Sequence, residues 1–450
     1  MPDKKLFCSS PWLHIKIGYS GRYLPCRWMS LPSLKASDQY MQDISLLEYY
    51  NSVTMRRLRI DLVNDQIVDS CSNCHYEDSF GKVSGRIRQL YRSKIDIESF
   101  NEDYAVSPHL SMFEDSLDDG HSSFHPYDLQ INLSNVCNNA CIMCSPIFSS
   151  RLKQDFNKLS KTFPLLFEDP ADMKCWADDP ILVEKFISDI KELPSVDYLH
   201  LLGGETLYLE SFYNICEALI DSGLSKNISL GTTTNLSIFT DRLAEIIPKF
   251  SKFHIGLSIE SVNHLNDYIR YPSEITSVLN TLGKFLDLRN QYPALHLTLR
   301  ITPNIFSIFY IDEVIQYMCD NNLTGESCNI LAYPNQLRIE LLPENLRMII
   351  IEKLKKVIEK NSLVRAHVID ARNPELVTQV ISTVAFSYVD VLENMVLPSD
   401  GEQYRRDLIT FLTGFESIRN NSILDYAPEY EAFLTEYGYK RKSSIDYPPT

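Results

Sequence analysis

The sequence predicts an α/β fold: a partial parallel (β/α)6 barrel, preceded by a small cysteine-bearing segment and followed by a helical one. Three observations carry this expectation. From Tyr127 onward, short β-rich runs alternate with amphipathic helical patterns. Six such units are visible, two short of a complete eightfold barrel. After Pro343 the β-rich runs stop and the pattern becomes all helical.

The strand-like runs are "YDLQINLS", "YLHLLGG", "NISLGTTTN", "FHIGLSIE", "HLTLRITP" and "SCNILAYP". Between them lie "LVEKFISDIKEL", "LESFYNICEALIDSG", "DRLAEIIPKF", "ITSVLNTLGKFLDL" and "IDEVIQYMCDNN", each with helical spacing of apolar residues. Strands alternating with helices need right-handed crossovers, which make the sheet parallel. The stretch from Cys144 to Leu182, rich in Phe, Lys and Asp, reads as an insertion after the first strand. Loops after strands form the working face of such a barrel, so this insertion either covers a site or is a solvated excursion.

Residues 1–110 have another texture: two short β-like runs, a helical stretch and "CSNC". The acidic, Ser-rich linker over residues 101–123 suits a mobile connection. These shifts divide the chain into 1–110, 111–343 and 344–450. In the tail, "LRMIIIEKLKKVIEK" sets Leu346, Ile350, Leu354 and Val357 on one stripe, and "ELVTQVISTVAFSYVDVL" and "RRDLITFLTGFESI" follow. The tail offers no evident chemistry.

No segment of the 450 residues reaches the apolar length of a membrane helix. "MPDKKLFCSSPW" lacks the apolar core of a signal peptide, so a cytoplasmic location is expected, where structural disulfides are rare. Eleven cysteines therefore need another use. A net charge of -16 opposes binding to a phosphate backbone, and "MRRLRI" at Met55 to Ile60 reads as a solvated helix face, not a nucleic-acid groove.

"NLSNVCNNACIMCSP" holds Cys137, Cys141 and Cys144 in one CxxxCxxC group. Thiolates select zinc, copper(I) or iron-sulfur clusters. A structural zinc site closes with four protein ligands. Three ligands on a four-iron cluster instead leave one iron open to a substrate or cofactor.

This loop after the first barrel strand resembles that of the radical SAM superfamily. The resemblance implies a 4Fe-4S cluster on three cysteines, with the amino and carboxylate groups of S-adenosylmethionine on the open iron. It implies reductive cleavage of that molecule to a 5'-deoxyadenosyl radical, which abstracts hydrogen from substrate. Further motifs follow the family in order. "LLGGETL" resembles its GGE element, with Gly203 and Gly204 allowing close backbone approach and Glu205 accepting from the methionine ammonium. "TTTN" ends at Asn235, "GLSIES" supplies Ser258 and Glu260 for the ribose hydroxyls, and "ITPN" places Asn304 as a polar contact. Met143 stands where many members have an aromatic residue over the adenine; a thioether packs on a ring too. Thr206 stands where proline is common. Taken singly, GGE is more often a turn, and Ser258 and Glu260 are ordinary alternating strand residues.

Four more cysteines precede the barrel: Cys8, Cys26, Cys71 and Cys74. A hairpin through "HIKIGYSGRYLP" would bring Cys8 and Cys26 against the CxxC pair and close a four-thiolate site for zinc or iron. The segment resembles the twitch domain, here amino-terminal, as in N-terminal twitch radical SAM proteins; Glu77, Ser84 and Arg86 behind the CxxC fit that group. The resemblance implies a second, auxiliary 4Fe-4S cluster, which would accept the substrate's electron or relay electrons to the barrel cluster. Cys175, Cys216, Cys319 and Cys328 are isolated; Cys216 and Cys319 read as buried small hydrophobes, His200 as core, and His75 as packing.

The expected function is therefore that of a radical SAM oxidoreductase or peptide-modifying enzyme. Its implied partners are a peptide or protein substrate and a reductant such as flavodoxin or ferredoxin. The cofactors carry the hard chemistry, so no side-chain acid, base or nucleophile is nominated. Two alternatives stand beside it: oxidation or isomerisation of a carbohydrate or small metabolite, and a non-enzymatic zinc-binding protein.

Overall fold

The computed structural model describes residues 6–29, 39–79, 84–92, 116, 118–167, 172–193, 195–325, 330–366, 368 and 376–441. Its strands make a mostly parallel α/β fold, with an antiparallel pair near the amino terminus. The chain divides into two compact units. Unit 1 comprises Met1–Ser134, Met173–Thr232 and Arg242–Phe253; unit 2 comprises Asn135–Asp172, Thr233–Asp241 and His254–Thr450.

In unit 1 the strand order is β2-β1-β3-β4-β5. Strands β1 (His14–Ile17) and β2 (Tyr23–Leu24) form the expected hairpin, with Lys16 opposite Leu24. Gly21 turns it with φ 81, where a Cβ would lie 2.9 Å from Met41 Cγ. Beyond the expected hairpin, β1 also pairs in parallel with β3 (Asp128–Asn132), from His14 opposite Asp128 to Ile17 opposite Ile131. Strands β4 (Tyr198–Leu202) and β5 (Ser229–Thr234) continue in parallel. Helices Pro180–Lys191 and Glu210–Asp221 follow the predicted patterns and bury Val183, Phe186 and Ile190 on one, and Phe212, Ile215 and Leu219 on the other. The first begins at Pro180, with Asp179 accepting from the Ile181 N–H, so its entry is fixed locally.

The "MRRLRI" helix forms over Val53–Val63, capped by Ser52, but one part of the expectation fails. Arg57 faces water, whereas Arg59 is fully buried. Its guanidinium is saturated: it donates to the carbonyls of Pro11, Tyr50 and Gly120 and to Asn51 Oδ1, and stacks 4.2 Å from the Tyr50 ring. A planar five-donor fork can meet that many acceptors; a solvated face could not. Most of the linker lies outside the described residues. Its end is fastened in unit 1: the Ser116 hydroxyl accepts from Trp12 Nε1 at 2.9 Å and donates to the His121 carbonyl at 2.8 Å.

In unit 2 the order is β6-β7-β8, with β6 spanning Lys252–Ser258, β7 Leu295–Arg300 and β8 Thr324–Gly325. The sixth strand is thus misplaced by the sequence reading. Of "SCNILAYP", the described residues 330–334 are not strand. Helix Ile311–Asn321 ends on Asn322 in the left-handed conformation, and the chain enters β8 directly, with the Thr298 and Thr324 hydroxyls 2.9 Å apart. The tail helices Glu344–Lys360, Val377–Asn394 and Gly401–Arg419 form as expected, and Leu346, Ile350, Leu354 and Val357 are all buried. The insertion supplies helix Ser150–Leu159, and its Phe156 and Phe167 pack with Phe411 and Phe415. That part of it packs as core, not as a solvated excursion. Among the described residues, no helix is long and apolar enough to cross a membrane.

Arg59→Met would leave four buried acceptors without their donor. The expected cost is about 3 kcal/mol, read as a lower thermal midpoint for unit 1 by tryptophan fluorescence; an unchanged midpoint would show the hub to be dispensable.

Candidate metal and cofactor centres

The cysteine loop of unit 2 has little regular structure, so its backbone groups are satisfied from outside. The Ala140 N–H donates to the Tyr271 carbonyl at 2.7 Å, and the Ile142 N–H to the Ile269 carbonyl at 2.9 Å. Between these bonds Cys141 faces Arg270, whose Nη1 stands 4.0 Å from its sulfur. A turn from Cys141 O to Cys144 N–H closes the loop's second half. Ser149 caps helix Ser150–Leu159 and donates to the Asn139 carbonyl, fastening the loop to the helix that follows.

The thiols are in electrostatic reach of one another. Burial, then Cys141 and Cys137, push Cys144 up to about 12. Burial likewise raises Cys141, against the pull of Arg270 and Arg419. Cys137 accepts from the Asn139 N–H at 3.5 Å, and Asn235 Nδ2 lies 3.9 Å away while donating to Asn138 Oδ1 at 2.8 Å. Three sulfurs with amide and guanidinium donors around them suit an anionic iron-sulfur cluster, which such donors stabilise.

The other expected residues of unit 2 fall into different settings. Ser258 is half-buried at the end of β6, and Met143 is half-buried between two of the cysteines. Glu260 is fully buried, with Oε1 accepting from Arg270 Nη2 at 2.6 Å and Oε2 from the Thr302 N–H at 3.0 Å. Burial pushes this carboxyl up to about 7, opposed by Arg270. For Arg270, burial acts downward but is outweighed by Glu260 and Cys141, so the net direction is up. The two shifts pull oppositely on the pair's ionisation; the 2.6 Å contact has the length of a charge-assisted bond, and we read the pair as ionised. Asn304 is buried, its Oδ1 accepting from the N–H groups of Phe306 and Ser307, while its Nδ2 has no partner among the described residues.

In unit 1, Gly204 N–H donates to the Ser134 carbonyl at 2.8 Å, carrying the β3–β4 ladder past the strand ends. A Cβ on Gly203 would meet Leu209 Cδ1 at 2.8 Å and the Ser134 carbonyl at 3.1 Å, so glycine is required there by space. Glu205 is buried and caps the short turn Thr206–Tyr208 through the Leu207 N–H.

Unit 1 also brings Cys8, Cys26, Cys71 and Cys74 to one cavity, together with Pro11, Trp28, Met29, Leu58 and Leu62. Burial first, then the neighbouring thiols, raise Cys8 and push Cys71 up to about 12. The Trp28 N–H points at Cys26 Sγ, 3.3 Å away. Arg86 pairs with Asp78 at 2.8 Å and donates to the Phe7 carbonyl, and a side chain at Gly85 would collide with Trp28. Ser84 is buried with its hydroxyl accepting from the Ile87 N–H, and Glu77 is exposed. Among the described residues, no three His, Cys, Asp or Glu side chains are grouped as a preformed single-ion site. Four half-buried sulfurs around one apolar cavity, with an amide donor at hand, are a donor set suited to a thiolate-bound metal centre.

Cys216 and His200 are buried as expected; Cys319 is only half-buried, and Cys328 lies outside the described residues. Sequence reasoning missed Arg270, Asn138, Asp155 and Arg419. The one local signal was an arginine inside the otherwise buried "LNDYIRY" run.

Glu260→Leu would strand the Arg270 charge, and the cysteine-loop amides of Ala140 and Ile142 are expected to lose about 3–5 kcal/mol of protection against hydrogen exchange. Adding Arg270→Met should restore much of that loss; strictly additive losses would show that the pair is not coupled.

No curated protein matches the sequence. Among solved structures, SuiB from Streptococcus suis bound to S-adenosylmethionine is similar at 15% identity, over 68% of this chain and 63% of that one, with a TM-score of 0.36. SuiB bound to precursor peptide SuiA gives 16%, 69%, 62% and 0.35 for the same quantities, and SuiB by itself 15%, 68%, 62% and 0.35. The matched region thus spans less than two thirds of the SuiB chain. Residues 131–291 match the family model of the Radical SAM superfamily, a span that begins in β3 and holds the three cysteines, Gly203 to Glu205, Asn235, Ser258 and Glu260. With this match the region from Ile131 to Gln291 is placed as a Radical SAM superfamily domain.

Proposed function

We propose that the protein is a radical SAM enzyme with two iron-sulfur clusters: one held by Cys137, Cys141 and Cys144, the other by Cys8, Cys26, Cys71 and Cys74. The observation that carries the reading is the three-thiol loop of unit 2, with Cys141 buried, Cys137 and Cys144 half-buried, and amide and guanidinium donors beside them, inside the matched domain. When bound, the barrel cluster and S-adenosylmethionine supply a 5'-deoxyadenosyl radical that takes a hydrogen atom from substrate.

The chain's own residues bind and orient. Gly203 and Gly204 present backbone, Glu205 accepts from the ammonium, and Asn235 holds Asn138 beside Cys137. Ser258 offers its hydroxyl to the ribose, Met143 covers the adenine, and the Asn304 amide donates through its unpartnered Nδ2. Both Glu260 oxygens already accept bonds, so its service to the ribose is at most shared with that of fixing Arg270.

In this reading residues 1–110 are the auxiliary, twitch-like domain, 111–343 the core and 344–450 the tail. Four protein ligands would leave no iron open, so a cluster held by Cys8, Cys26, Cys71 and Cys74 would supply electron transfer, as acceptor of the electron lost with a proton from the substrate after hydrogen abstraction. The substrate is peptide-like, by resemblance to twitch and SPASM proteins, and a flavodoxin or ferredoxin in the cytoplasm supplies the first electron.

Iron and acid-labile sulfide per chain after anaerobic reconstitution test this. About eight of each are expected for the parent and about four for the Cys137→Ala, Cys141→Ala, Cys144→Ala variant. Iron absent from the three-cysteine site would overturn the reading. Zinc at the four-cysteine site would remove the proposed electron acceptor. A product two hydrogens lighter than substrate supports oxidation, whereas an isomer refutes it.

A further inference from the structure

The tail of unit 2 shows an unforeseen connection to the cysteine loop. Arg419, the last residue of helix Gly401–Arg419, donates through Nη2 to the Ala140 carbonyl at 2.6 Å and to Asp155 Oδ2 at 2.8 Å. Its side chain is 2% exposed, and that of Asp155 10%. The guanidinium is sandwiched by the rings of Phe415, 4.3 Å away, and Tyr271, 4.8 Å away. Ala140 is therefore gripped on both sides, its N–H by Tyr271 and its carbonyl by Arg419, immediately before Cys141. Arg270 approaches the Cys141 sulfur itself and is held in place by Glu260.

Both arginines keep donors in reserve. Arg270 Nε, Arg419 Nε and Arg419 Nη1 are buried without a hydrogen-bond partner among the described residues. Buried guanidinium N–H groups left unmade are costly, so three in one place need a counterpart.

We propose that Arg270 and Arg419 are positioning residues that clamp the loop around Cys141 and set the reduction potential of the cluster bound there. The inference rests on the cluster assignment above. A cluster on three thiolates carries negative charge and gains more on reduction, so fixed positive charge and N–H donors beside one ligand favour the reduced form. Each arginine is also paired with a carboxylate, Arg270 with Glu260 through its second Nη and Arg419 with Asp155 through the same Nη2 that meets the loop, which holds both guanidinium groups against it. The tail thereby contributes to the chemistry of a cluster whose ligands all lie far earlier in the chain.

Removing an arginine alone would bury an unpaired carboxylate and risk unfolding, so the test removes each pair together: Arg419→Met with Asp155→Asn, and Arg270→Met with Glu260→Gln. Reconstituted full-length protein is titrated electrochemically under EPR. The barrel cluster should become harder to reduce in both double variants, while the four-cysteine cluster, untouched in unit 1, keeps its potential. Arg419→Lys, which retains charge without the fork, should shift it less. Loss of about four irons from the three-cysteine site with the other site loaded would equally support the clamp. Full loading at the parental potential in both doubles would overturn it. Absence of iron from the three-cysteine site of the parent is a different result, and sinks the cluster assignment first.

Discussion

Two backbone hydrogen bonds, from Ala140 and Ile142 to the carbonyls of Tyr271 and Ile269, are the constraint on which the arrangement in unit 2 depends. The loop of three cysteines satisfies the Cys144 amide by its own turn but not those of Ala140 and Ile142, and an unmade buried N–H is expensive. Borrowing the two carbonyls solves that problem and fixes which side chains meet. Cys141 lies between the two donors and Arg270 between the two acceptors, so the register alone sets thiol against guanidinium. Glu260 at the end of β6 and Arg419 at the end of the tail helix then hold that meeting from either side.

Unit 1 solves a related problem differently. Three of its four cysteines, Cys8, Cys26 and Cys71, pack against an apolar cluster of Phe7, Trp12, Leu13, Met29, Leu58, Leu62, Val63 and Leu90. The polar needs of that region are met at a distance from the sulfurs, by Arg59 among carbonyls and by Arg27, which bonds to both oxygens of Asp128 at 2.7 and 2.6 Å. The sulfurs of unit 1 are enclosed mainly by hydrocarbon, those of unit 2 by charge. Enclosure of either kind controls solvent access and, through it, the energetics of any bound group.

Much of the fold was legible because strand and helix leave local periodic signals. The runs ending at Asn132, Leu202, Thr234, Ser258 and Arg300 are strands, and the helices between them bury the stripes their spacing specifies. The sixth strand was misread because it is two residues long, too short for alternation to show, while a neighbouring apolar run imitated it. The parallel pairing of β1 with β3 was invisible because more than a hundred residues separate them. The site was legible where its chemistry is packed into short motifs, as in Cys137 to Cys144 or Gly203 to Glu205. It was illegible where partners come from far away: Arg419 resembles any basic residue closing a helix, and only the fold discloses Asp155 and Ala140 beside it.

The bond between Arg419 and the Ala140 carbonyl joins residues 279 positions apart, which bears on the order of events during synthesis. Translation at about 5–20 residues per second puts roughly 14–56 s between the emergence of the cysteine loop and that of its clamp. Glu416, one turn before Arg419, is held by Tyr439, so the clamp is braced by a segment made later still. Throughout that interval the nascent loop has its thiols but not its final shape. The loop's final anchoring therefore waits on the tail, and a ribosome stalled before it would display three cysteines without the bond from Arg419 to the Ala140 carbonyl.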